Sequence, residues 1–289
     1  MLTPQSVTLH RMKPVILFRQ DLDADGEMST AALHLPVVPY RSQVPPGSLV
    51  IARYSALPFY GELERELALG GSVLANTHRQ HRWIAELFEW GSAAGGVLVE
   101  DGLTPRSWDN WAGLPEGAYV LKGRTNSRKS QWATPMYAPT RADIPRVAAR
   151  LLDDGMVREQ GIVVREYVPL RMLAEGLNGL PVTNEWRVFY WADAGEPVFL
   201  AAGYYWRGTH PETEALARFT DEARVLAERA AALIAPYARF FVLDVAEKAS
   251  GGWMVVEVND GQMSGPGGVD FDTLYRALAR VVGPPAPGA

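Results

Sequence analysis

Asp244 lies in the apolar run Phe240 to Val245, and Glu257 and Asn259 lie in a second run, Trp253 to Asn259. A Ser250-Gly-Gly252 turn between the runs folds them into an antiparallel hairpin. Residues two apart on a strand share a face, so Glu257 and Asn259 converge, and the turn places Asp244 opposite them. Three oxygen donors on one sheet face suit a hard cation. Magnesium is the natural occupant, because phosphates and water complete its shell. Val242, Leu243, Val255, Val256 and Val258 flank the donors, and carboxylates among such residues are costly to bury unless something neutralises them. The competing reading is a half-exposed hairpin whose polar residues face solvent.

Lys122 ends the run Tyr119-Val-Leu-Lys122 and opens a polar loop, Gly123-Arg-Thr-Asn-Ser-Arg-Lys-Ser130. Backbone N–H groups, small hydroxyls and the cations Arg124, Arg128 and Lys129 suit a polyphosphate. The spacing is not that of a Walker A loop, and a basic solvated turn is the plain alternative. The segment Arg165-Glu-Tyr-Val-Pro169 ends a strand at a proline, which leaves backbone groups of the kind that hydrogen-bond an adenine ring. An ordinary strand end reads the same way. Glu185 and Arg187 share one face of a further strand, where a cross-strand ion pair of little worth is the alternative.

The elements around these residues follow from periodicity. Val15 to Phe18, Ser48 to Ala52 and Val73 to Ala75 read as strands. Pro58 to Leu69 reads as a helix stopped by Gly70-Gly71, and Asn76 as the N-cap of a helix reaching about Trp90. Strand alternating with helix predicts a small α/β unit on a parallel sheet. After a loop from Leu103 to Gly117, strands are expected at Tyr119–Lys122, Trp132–Tyr137 and Gly161–Val168, with a helix over Ala142–Leu152. Glu185–Trp191 and Pro197–Tyr205 pair through an Ala194-Gly195 turn, Thr220–Ile234 is a long helix, and Phe271–Val281 closes the chain as a helix.

The bulk numbers narrow the function classes. The 289 residues contain no cysteine, which excludes thiolate chemistry, disulfides and cysteine-ligated metals. The net charge of -5 supplies no global basic field for nucleic acid, so a nucleic-acid partner is not expected. No apolar run is long enough to span a bilayer, and a soluble cytoplasmic protein is the expectation.

Taken in order, Lys122 with its loop, Glu166-Tyr167-Val168, Glu185-Trp-Arg187, Asp244 and Glu257-x-Asn259 resemble the ATP-grasp superfamily. More narrowly they resemble the clade named for two arginines and a lysine, through Lys122-Gly123-Arg124 and the strand bearing Arg187. The resemblance covers roughly Leu103 to Val281. It implies an α/β fold in which two α+β lobes clasp ATP. Residues 1–102 would form a pre-ATP-grasp α/β domain, 103–169 the N-lobe, 170–283 the C-lobe and 284–289 a disordered tail.

Roles follow from the resemblance. Lys122 would bind the α- and β-phosphates, with Arg128 and Lys129 in the covering loop. Glu166, Tyr167 and Val168 would face adenine, Glu185 the ribose and Arg187 the γ-phosphate or acyl phosphate. Asp244, Glu257 and Asn259 would hold magnesium, with two ions expected. The implied reaction is that of an ADP-forming carboxylate–amine ligase acting through an acyl phosphate on a small-molecule or peptide carboxylate and an amine-type acceptor. Apart from the resemblance, Arg53 follows a strand end, where α/β sheets bind ligands, and would hold a carboxylate, with a surface arginine as the equal alternative, while Gln262, Met263 and Ser264 would face the substrate. A homodimer is the default expectation. The alternatives are a phosphotransferase on the same scaffold and a nucleotide-binding module without turnover. A third is an RNA- or peptide-binding protein using Trp83, Trp90, Trp108 and Trp111, although these rings suit a core equally well.

Overall fold

The structure is a computed structural model that describes residues 12–19, 26–124 and 136–283. Its first strand, β1 (Lys13–Leu17), is apolar on both faces, so both must be covered. It sits in a four-stranded parallel sheet of order β2-β1-β3-β4, with β2 (Val37–Val38), β3 (Ser48–Ala52) and β4 (Val73–Leu74). Val15 and Leu17 pack against Tyr60, Leu63 and Leu67 of helix α2 (Tyr60–Leu69). Ile16 and Ile51 pack the other way, with the short helix α1 (Glu27–Ala31) through Ala31. This is the doubly covered parallel unit that the periodicity predicts.

The expected helix from Asn76 to about Trp90 divides in two. The cap of α3 (His78–Ala85) is Thr77, whose hydroxyl accepts from the Gln80 N–H while the Gln80 side chain answers the Thr77 backbone. Asn76 is fully buried and bonds across to the C-terminal sheet instead. Trp90 lies on a separate short helix, α4 (Leu87–Gly91), and α5 (Val97–Glu100) interrupts the next loop.

An antiparallel sheet of order β5-β8-β6-β7 follows, formed by β5 (Ser107–Trp108), β6 (Tyr119–Gly123), β7 (Tyr137–Ala138) and β8 (Ile162–Glu166). It is backed by Ile144, Val147, Ala148 and Leu151 of α6 (Ile144–Leu152), ahead of α7 (Gly155–Gln160). The return strand expected over Trp132–Tyr137 is described only as β7. An unexpected hairpin, β9 (Met172–Glu175) with β10 (Pro181–Thr183), leads into the C-terminal sheet.

That sheet has the order β12-β11-β13-β14, from β11 (Glu185–Asp193), β12 (Glu196–Tyr204), β13 (Phe240–Glu247) and β14 (Trp253–Asp260). Ala194 (φ 50°) and Gly195 (φ 87°) make the two-residue turn of the first hairpin. Alternation splits its core. Tyr190, Phe241 and Leu243 face the alanine-lined side of α8 (Asp221–Ile234). Phe189, Trp191, Phe240 and Val242 face the parallel sheet and α9 (Phe271–Val282). The two sheets therefore share one apolar core. No described helix is long and apolar enough to cross a membrane.

Candidate active site

On the second of those faces the apolar rows end in charge. Arg187 pairs in register with Asp244, and Asp244 with Glu257, while Asn259 stands opposite Val242. One end of the sheet thus carries a cation and three oxygen donors in a row. A register shift between Asp244 and Val245 keeps Glu257 and Asn259 on this side. The Asn259 carboxamide nitrogen lies 3.4 Å from Asp244 Oδ2 and 3.4 Å from Glu257 Oε2, so the three expected donors do meet.

They are not equivalent, however. Arg187 grips Asp244 with both arms, Nε to Oδ1 at 2.8 Å and Nη2 to Oδ2 at 2.7 Å. Asp244 is completely buried beneath this pair. Burial is the largest single influence and disfavours the Arg187 cation, but the charge and hydrogen bonds of Asp244, with Tyr205 and Glu257, together outweigh it and raise the guanidinium's pKa. Glu257 and Asn259 border open space, and Asp244 stands behind them as the residue that holds Arg187. The third bond of Arg187, from Nη1 to the Gly265 carbonyl at 2.8 Å, ties it to the glycine-rich loop after β14.

Lys122 reaches this row from the other antiparallel sheet. It lies on β6 opposite Val163, and its Nζ is 2.5 Å from Glu257 Oε1. Two cavities adjoin at this ion pair, since Lys122 and Glu257 line both. The smaller, about 200 Å³, is walled by Val120, Met136, Met172, Met254 and Val256, with Glu166, Tyr167, Val168 and Glu185 at its rim. Here the expected hinge residues converge. Glu166 N–H donates to Arg106 and Tyr167 N–H to Ala118. Val168 has no hydrogen bond to its backbone groups among the described residues, which leaves its N–H and carbonyl for a ligand. The Glu166 carboxylate is held by Arg106 Nη2 at 2.6 Å, and the buried Glu185 accepts from the Thr183 hydroxyl at 3.3 Å.

The larger cavity, about 800 Å³, brings Lys122, Arg124, Arg187, Glu257 and Asn259 together with Ser264. Its far wall is apolar, from Leu57, Pro58, Ala85, Leu87 and Trp90. Met263 and Ser264 line it, whereas Gln262 is fully buried and bonds to Tyr60, Asn76 and Ala52. Arg53 does not border it either. Its guanidinium is buried against Glu27 Oε1 at 2.7 Å, the Tyr275 hydroxyl and the Gly261 carbonyl, which makes it a tie between lobes and corrects the expectation of a carboxylate anchor. Arg128 and Lys129 lie outside the described residues.

Sequence reading also missed residues here. Arg165 is buried, donates to Thr104 and to the Val255 and Val256 carbonyls of β14, and lines the smaller cavity. Desolvation pulls its pKa down, and the charge of Glu257 opposes that. His81 and Asp260 line the larger cavity. Asp260 directly follows Asn259, and strand alternation alone marks it as facing the other way. Among the described residues no three acidic, histidine or cysteine side chains cluster as a metal site.

No curated protein sequence matches the chain. Among solved structures, the D-cycloserine synthetase DcsG superposes with a TM-score of 0.58 at 12% identity, over 93% of this chain and 99% of that one. An L-amino acid ligase from Bacillus licheniformis gives 0.56 at 14%, over 94% and 75%. A biotin carboxylase β,γ-ATP complex from Campylobacter jejuni gives 0.59 at 10%, over 98% and 73%. Identities this low establish the fold. Residues 109–278 match the ATP-grasp domain of family 3 in the clade named for two arginines and a lysine, and this span is well over half of the chain. The α/β fold with its two antiparallel sheets facing each other across Lys122 and Glu257 is thus an ATP-grasp fold, and the chain belongs to the two-arginine, one-lysine clade of that superfamily.

Proposed function

We propose that this chain is an ATP- and magnesium-dependent ligase. It converts a carboxylate on a small molecule or peptide into an acyl phosphate, releases ADP, and joins the acyl group to an amine-type acceptor. The observation that carries this reading is the meeting of two unlike cavities at Lys122 and Glu257. One is narrow, apolar and edged by open backbone at Val168, as an adenine requires. The other is wide, cationic on one side and apolar on the other, as a carboxylate and its acceptor require. Residues 1–102 would form the pre-ATP-grasp domain, 103–169 the N-lobe and 170–283 the C-lobe.

In this reading Glu166, Tyr167 and Val168 hold the adenine, and Glu185 holds the ribose. Lys122 exchanges Glu257 for the α- and β-phosphates, with Arg128 and Lys129 assisting from the covering loop. Arg187, aimed by Asp244 and the Gly265 carbonyl, steadies the phosphoryl group as it passes to the substrate carboxylate. Glu257 and Asn259 are the donors that would hold magnesium, with Asp244 adding charge behind them, and two ions are expected. Bound there, the metal would neutralise phosphate oxygens. No covalent bond to the protein is needed, since positioning and charge supply the rate.

The test combines thermal shift with turnover. ATP or ADP with millimolar magnesium should raise the Tm, and ADP release should depend on both a carboxylate and an amine from mixed pools. Product mass should show the two joined with loss of water. Absence of any nucleotide-dependent shift would refute the reading, and a phosphorylated acceptor without a new amide would replace it with phosphotransfer.

A further inference from the structure

On the proposal that the site is a ligase, we infer that His81 is the general base that takes the proton from the acceptor amine, held in its working tautomer by Asp260. The argument starts from β14. It is the edge strand of its sheet, so residues on both of its faces border the same larger cavity. Glu257 and Asn259 meet it from one face, and Asp260, at the strand's end, meets it from the other together with His81 of α3.

Asp260 is surrounded by donors. Its Oδ1 accepts from Asn76 Nδ2 at 2.7 Å and from the Gln262 N–H at 2.9 Å. Its Oδ2 meets the Tyr60 hydroxyl at 3.2 Å and His81 Nδ1 at 3.1 Å. Asn76 cannot be turned round, because its oxygen accepts from the Arg239 and Phe240 N–H groups. Both Asp260 oxygens therefore stand as acceptors in this arrangement. Burial and the Asp260 charge push the Tyr60 hydroxyl far above its ordinary range, so the phenol keeps its proton, which lies between the Asn76 carbonyl at 2.8 Å and Asp260 Oδ2 at 3.2 Å. With Oδ2 as acceptor, His81 Nδ1 is the donor of this bond, and Nε2 is the ring nitrogen left to accept a proton. Nε2 has no hydrogen-bond partner among the described residues. The ring is stacked on Tyr60 at 4.7 Å and cannot swing away.

The chemistry needs such a group. The amine lone pair forms the C–N bond to the acyl carbon while the C–O bond to phosphate breaks, and phosphate leaves with that electron pair. The nitrogen must then lose a proton, which passes to His81 Nε2 and later to solvent. Lys122, Arg187 and Arg124 around the cavity are cations and cannot accept it. Leu57, Pro58 and Ala85 beside His81 give the acceptor an apolar wall, which favours the uncharged amine over its ammonium.

Hydroxylamine distinguishes this role from a structural one. It is uncharged at neutral pH and attacks acyl phosphates without a base. In His81→Gln the ratio of amine-dependent to hydroxylamine-dependent turnover should fall about a hundredfold. Asp260→Asn would present an N–H to Nδ1, force the proton onto Nε2 and lower the same ratio. Equal loss with both nucleophiles in His81→Gln would overturn the assignment, since misfolding or a packing role cannot choose between them. If the native protein makes neither amide nor hydroxamate, the ligase reading itself fails.

Discussion

Lys122 Nζ lies 2.5 Å from Glu257 Oε1, across the seam between two sheets that share no hydrogen-bonded strand. In this pairing each neutralises the charge that the other would offer a ligand: the lysine its phosphate, the carboxylate its cation. On the proposed function, loading the site would break the pair, and nucleotide and metal would enter best together. Lys122→Met separates the two effects. Turnover should fall about a hundredfold, as for other lost electrostatic contacts. Magnesium alone should raise the variant's Tm more than the native protein's, because Glu257 is released. A smaller magnesium shift in Lys122→Met would show that the pair does not compete with the metal.

The Arg187–Asp244 pair is deeper and calls for a different test. Asp244 is fully buried, and both its oxygens are bonded to the guanidinium. Asp244→Ala leaves a buried cation without its partner, at a cost of about 3–5 kcal/mol. Removing both charges in Asp244→Ala/Arg187→Met should recover most of that loss while leaving the protein inactive. Urea denaturation of the three proteins measures it. A single variant as stable as the native chain would mean that Arg187 finds another anion.

Much of this was legible beforehand. The alternation of Glu185–Trp191 and of Trp253–Asn259 sufficed for β11 and β14, because a half-charged, half-apolar strand has one arrangement on a packed sheet. Lys122 at a strand end, and Glu257 with Asn259, followed from the same period. What escaped was set by contacts distant in sequence. Arg187 and Asp244 are 57 residues apart, and only the register of β11 on β13 makes them a pair, so Asp244 read as an exposed donor. Asn76 precedes a helical stretch and reads as its cap, yet its amide is consumed by Phe240 and Asp260, and Thr77 caps instead. Arg53 and Gln262 sit beside strand ends as ligand residues do, but Glu27 and Tyr275 enclose the first, and Tyr60 and Asn76 the second. The β9–β10 hairpin buries only Val182 and Thr183 of its short second strand, too few positions to make a period.

Gly267 tests how closely Arg187 must be aimed. Its φ is +55°, and a Cβ built there would stand 2.8 Å from Arg187 Cδ. The loop can pass over the arginine because this residue has no side chain. Gly267→Ala should cost about 1 kcal/mol or slightly more in stability. It should lower kcat at least tenfold by displacing the guanidinium, since small misplacements are costly. KM for ATP should change little, because no residue of the loop lines the smaller cavity, where the adenine is proposed to bind. A normal kcat in the folded variant would show that Arg187 tolerates displacement.

Acid should loosen the structure at a definable point. Glu247, at the end of β13, accepts from Arg171 Nη1 at 2.8 Å and from Asn184 Nδ2 at 2.7 Å. These bonds tie the start of the β9–β10 hairpin, one wall of the smaller cavity, to the C-terminal sheet. Burial pushes the Glu247 carboxyl up, but the bonds from Arg171 and Asn184 outweigh it and leave the group below its ordinary value of 4.5. A carboxyl depressed by folding stabilises the folded state only while it is ionised. Its contribution is complete above the ordinary value and disappears as pH falls through the lower, folded one. Glu247→Gln removes the charge at every pH. Its Tm should lie below that of the native protein at neutral pH, and the gap should close as pH drops below about 4. A gap that stays constant down to the acid limit would mean that the side chain acts through shape alone, and that its charge has no part in holding the hairpin to the sheet.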